Sequence, residues 1–106
     1  GRILSIPYPQ EANDIPAIVA RKETARGFAE IIQGDLRERM HQVGRDGIPQ
    51  VMGIALHPYI IGQPYRIRAL RRVLEGLAER REEVWITTAG AVFDHVTTRW
   101  AEDSIP

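Results

Sequence analysis

The chain of 106 residues contains no cysteine, which excludes disulfides and thiolate metal sites and fits a cytoplasmic protein. It has no excess of either charge. Fourteen basic side chains face fourteen acidic ones, so no global field draws the chain to nucleic acid or to an anionic membrane. No apolar run approaches the ~20 residues needed to cross a bilayer, and no signal-peptide pattern follows Gly1. There is no initiating methionine either. What is present is ordinary for a folded protein: 43% hydrophobic residues, enough for one core in one segment. The expectation is a soluble, cytoplasmic chain with neither a nucleic-acid nor a membrane partner.

The organising stretch is VMGIALHPYIIGQPYRIRALRR, Val51 to Arg72. Val51–Leu56 is apolar apart from Gly53, as expected of a strand covered on both faces. Pro58 ends it and biases His57 toward an extended conformation. A loop then leads into an amphipathic helix at about Tyr65–Arg81. Two further strands are expected, at Ile3–Ile6, closed by Pro7-Tyr8-Pro9, and at Val84–Thr87. Between them, Thr24 is a suitable N-cap for a helix that buries Phe28, Ile31, Ile32, Leu36, Met40 and Val43, with Gly44 and Gly47 as its stop. Thr88 caps a last helix from Ala89. The alternation predicts an α/β fold of three consecutive parallel βα units. In that topology Pro7 and Tyr8, His57, and Thr87 and Thr88 share the carboxyl edge of the sheet, where ligands gather in parallel folds.

His57 is therefore the candidate catalytic residue, weighed against a histidine held for packing alone. The other two histidines are weaker candidates, and none of the short zinc-ligand spacings occurs. Asn13-Asp14-Ile15-Pro16 lies in a long connection without a clean period, and long connections in compact domains often carry function. Arg68, Arg71 and Arg72 share one helix face with Glu75. That spacing reads as a solvated, salt-bridged surface in preference to a phosphate patch.

The segments ALHPYIIGQPYRIRALRRVLEGL and VWITTAG resemble the end of the polysaccharide deacetylase superfamily, in its allantoinase-like and cyclic-imide-hydrolase branch. LSIPYPQEANDIPAIV and TARGFAEII resemble it too. The resemblance implies the last part of a deformed (β/α)7 barrel, with residues 1–106 as a single C-terminal segment of an incomplete domain. It implies a hydrolase of non-peptide C–N bonds, acting on an amide, a cyclic ureide or an acetylated sugar. His57 matches the family's last signature and would be general acid to the leaving nitrogen or stabiliser of the oxyanion. Tyr8, Asn13 and Asp14 would line the same wall as substrate contacts.

The earlier family signatures do not occur: no strand-end aspartate pair, no H-x-x-x-H, no aspartate segment to orient the histidine. No metal is expected in this chain, a divalent zinc-like ion being a feature of the intact parent. The isolated chain is expected to be inactive, and to form a homo-oligomer or pack against the remainder of its barrel. A non-catalytic assembly or binding domain derived from the same fold is the alternative.

Overall fold

The computed structural model describes residues 3–103. Along them run a short π-helical turn, Ile15–Ala20, and four α-helices: α1 (Ala25–Asp46), α2 (Pro58–Ile61), α3 (Ile67–Glu79) and α4 (Ala89–Asp103). Local capping chemistry sets both ends of α1 and the start of α4. Thr24 Oγ1 accepts from the Gly27 N–H at 2.9 Å, which satisfies one orphan donor of α1. At the other end Gly47 takes the left-handed conformation, φ 71°, and its N–H donates to the Val43 carbonyl at 2.8 Å. Thr88 Oγ1 accepts from the Ala91 N–H at 3.2 Å and caps α4 in the same way.

The core is small and almost wholly helical. Phe28, Ala29 and Ile32 of α1 meet Val73 of α3 and Ile60 and Ile61 of α2. Ala17 and Ile18 of the π-helical turn and the preceding Ala12 close the cluster. Met52 and Ile54 pack against it from the side. Helices α1 and α3 run side by side in the same direction. Ala25 and Ala29 adjoin Tyr65 and Ala69, Leu36 adjoins Val73 and Leu77, and Arg80 Nη1 lies 3.6 Å from Met40 Sδ.

The expected sheet of three parallel βα units does not form, and with it the expected barrel segment falls. Among the described residues the strand pairing consists of one isolated parallel bridge, Asn13 with Ala55. Its two hydrogen bonds run from Asp14 N–H to the Ala55 carbonyl, 3.2 Å, and from Ala55 N–H to the Ala12 carbonyl, 2.9 Å. Ile3–Ile6, the rest of Val51–Leu56 and Val84–Thr87 are irregular.

The physical reason lies in the neighbours. The chain beside Gly53 is Pro7 to Pro9: a side chain placed on Gly53 would lie 3.1 Å from the Pro7 carbonyl and 3.3 Å from Pro9 Cδ. Prolines have no N–H to give a ladder, so close approach there cannot become pairing. Trp85 and Ile86 stay more than half exposed, with no strand to lie on. A β-prone run without a partner is not a strand, because its propensity reflects packing on a pleated surface.

The outcome is an open molecule. Its radius of gyration is 15.7 Å, against about 13 Å for a compact domain of roughly this length. Among the described residues no helix is long and apolar enough to cross a membrane.

Candidate active site

The lone bridge between Asn13 and Ala55 brings together two residues that the sequence separates by 43 positions. Ala55 is followed two residues later by His57, and Asn13 is followed at once by Asp14. His57 stands at the N-terminus of α2 with φ −122° and ψ 117°, the extended conformation that Pro58 dictates. Its carbonyl accepts from the N–H groups of Ile60 and Ile61, which pins the main chain. Asp14 precedes the π-helical turn, whose second residue is Pro16.

Asp14 is fully buried, and both its oxygens are used on one residue. Oδ2 accepts from the main-chain N–H of His57 at 2.7 Å. Oδ1 lies 2.6 Å from His57 Nδ1. A carboxylate can only accept, so the proton between them belongs to Nδ1. These short, charge-assisted contacts satisfy a group that would be costly to bury unpaired. The His57 side chain keeps 29% of its surface exposed, and among the described residues nothing hydrogen-bonds Nε2. The arrangement fixes the ring, fixes the tautomer, and presents one nitrogen outward. Tyr59 forms a flank: its ring meets that of His57 edge-on at 5.9 Å and is itself mostly exposed.

Of the sequence candidates, the structure thus brings three together. Asn13 is buried beside the pair, but both ends of its carboxamide serve the loop. Nδ2 donates to the Pro9 carbonyl and Oδ1 accepts from the Ile15 N–H, each at 3.2 Å. Asp14 faces His57, and neither of its oxygens is left to a ligand. Tyr8 is two-thirds exposed and shares no hydrogen bond with the pair among the described residues. His41 and His95 are exposed elsewhere, His95 edge-on to Trp85 at 5.5 Å.

The sequence reading finds no aspartate to orient His57; the structure provides one in Asp14. A signal for it exists. From Ala12 to Val19 Asp14 is the one charged residue, and a carboxylate set in such a run is bound for the interior with a partner.

A divalent ion does not fit these residues. Asp14 Oδ1 and Oδ2 both accept from His57, and among the described residues no group of three or more histidine and carboxylate side chains could hold a metal.

No protein-family model matches the chain, and no solved structure matches it. The chain is similar to a Schizosaccharomyces pombe protein named "Putative polysaccharide deacetylase", with 30% identity over 86 residues. The match covers 81% of this chain and 27% of that protein, so the chain spans about a quarter of the relative's length. This similarity supports a relation to the polysaccharide deacetylase superfamily and reaches no particular branch of it.

Proposed function

We propose that the chain contributes the proton-donating side of a deacetylase-type hydrolase active site that cleaves a non-peptide C–N bond. The observation that carries the reading is the 2.6 Å contact of Asp14 with His57 Nδ1, with Nε2 directed away from it. Hydrolysis of an amide needs an activated water, a stabilised oxyanion and a proton for the departing nitrogen. Asp14 holds the ring and stabilises its doubly protonated form. The imidazolium Nε2–H then passes its proton to the departing nitrogen as the tetrahedral intermediate collapses and the C–N bond breaks, which leaves the neutral ring with its proton on Nδ1 beside Asp14. Such positioned acid help is worth about 10²- to 10⁴-fold. Activating the water is not among the functions this pair supplies, so the chain alone lacks most of the machinery and is inactive or nearly so. The similarity to a protein named as a polysaccharide deacetylase favours an acetylated sugar as substrate. A cyclic ureide of the allantoinase-like kind is the finer alternative that the HPYIIGQPYR segment suggests.

A chimera tests this. The matched 86 residues replace their counterpart in the Schizosaccharomyces pombe protein, and acetate release from an N-acetylated oligosaccharide and ring opening of a ureide are followed. The reading expects one activity to survive in the chimera and to fall at least 100-fold in His57→Ala. An active parent whose chimera folds but is silent, or a chimera indifferent to His57→Ala, overturns it.

A further inference from the structure

At the end where α1 and α3 both begin, Ala25, Ala29 and Ala69 are too small to fill the space between the helices. They leave an open groove of about 470 Å³, inside the range of roughly 300–1,000 Å³ typical of small-molecule sites. Its walls carry Arg26, Arg68 and Arg72 against one acid, Glu30. Glu30 is already engaged, 3.5 Å from Arg26 Nε. Arg68 and Arg72 stand one helical turn apart on α3, and among the described residues neither has an acidic partner. Glu75, which the sequence offers to Arg71 and Arg72, pairs with neither.

Like charges four apart weaken a helix, and an anion lying between them reverses the sign of the interaction. Three guanidiniums less one carboxylate leave two positive charges, the complement of a phosphate monoester. Guanidinium forks also match phosphoryl oxygens in pairs. The N-terminal ends of two parallel helices add positive partial charge at the same place. Tyr65 stands at the mouth with the Arg66 guanidinium 4.8 Å from its ring centre, an exposed aromatic surface for the body of a ligand.

We infer that this groove binds a small molecule carrying a phosphate monoester, its phosphoryl group between Arg68 and Arg72 and its body over the alanine floor beside Tyr65. The lining includes neither Asp14 nor His57, so the inference stands apart from the proposed hydrolysis.

Calorimetry with the 106-residue chain, at one low ionic strength, tests it with phenyl phosphate, inorganic phosphate and acetate as probes. Phenyl phosphate should saturate at one per chain, inorganic phosphate more weakly, and acetate not at all. The double variant Arg68→Gln/Arg72→Gln should weaken phenyl phosphate at least tenfold, since each lost contact involves a charged group. Glu30→Gln should tighten it, and Arg71→Gln, outside the groove, should change it less than about twofold. Should the glutamine pair lose helicity, Arg68→Lys/Arg72→Lys keeps the charge and removes the forks, and a several-fold loss is expected. Absence of one-to-one saturation below about 10 mM, a range in which even weak sites register, overturns the inference. So does an Arg71→Gln effect as large as that of the pair.

Discussion

The main-chain N–H and the Nδ1 of His57 both reach the carboxylate of Asp14, at 2.7 and 2.6 Å. One side chain therefore sets the position of the histidine's backbone and the rotation of its ring together. Replacing it separates the two effects. In Asp14→Asn the carbonyl oxygen can still accept from the His57 N–H, but the amide then faces Nδ1 as a donor. His57 should switch to the tautomer with its proton on Nε2, read directly from the imidazole nitrogen shifts in NMR. An unchanged tautomer would show that Asp14 does not set it.

Asp14→Ala removes both acceptors at a fully buried position. The His57 N–H is then left without its partner, a loss of about 1–3 kcal/mol. Urea unfolding followed by helix content should show the unfolding free energy falling by that amount, through a lower midpoint with little change in slope.

The buried cluster predicts a second contrast. Ile32 is 1% exposed at the α1–α3 contact, whereas Ile3 is 95% exposed. Ile32→Ala should cost about 2–4 kcal/mol through lost burial and a residual cavity; Ile3→Ala should stay within about 0.5 kcal/mol. Equal effects of the two in the same unfolding experiment would mean that the helical cluster is not the core.

Lys22 and Gly47 adopt nearly the same left-handed backbone, φ 59° and φ 71°. Only one of them carries a Cβ. Lys22→Gly should therefore be neutral or stabilising despite glycine's added freedom in the unfolded chain, while Gly47→Ala should cost about 1 kcal/mol. Thermal melts of the two variants should move in opposite directions, or the second alone should move.

The accessible surface is 7944 Å², where a compact chain of 12.0 kDa exposes about 6,000 Å². The surplus is roughly twice the ~800 Å² that one partner contributes to a standard specific interface. Exposed Tyr59, Trp85 and Ile86 contribute to it. Sedimentation should find the chain self-associating at hundreds of micromolar, by analogy with other large exposed apolar surfaces. A monomer under those conditions would show that this surface stays wet without a partner.

The three long helices are the legible part of the sequence, whereas α2 and the π-helical turn fall where a loop and an aperiodic connection are expected. Thr24, Gly47 and Thr88 act through bonds to residues three or four positions away, and such local chemistry can be read along the chain. The strands were not legible, because Val51–Leu56 and Val84–Thr87 have strand composition but a ladder requires a neighbour that composition does not name. Pro7 and Pro9, lying beside Gly53, supply a neighbour that cannot pair. His57 was legible as a candidate from Pro58 and the apolar run before it. Its partner was not, since Asp14 reads locally as part of a loop and meets His57 only through the path of the whole chain.

That path has a kinetic meaning. α1 forms from contacts within a few residues, but the Asp14–His57 contact closes a loop of 43 residues. Its closure entropy is on the order of 3 kcal/mol, which only the assembled core can offset. The site should therefore be among the last features to appear during folding. Stopped-flow refolding should show helix content recovering before the imidazole reaches its native environment.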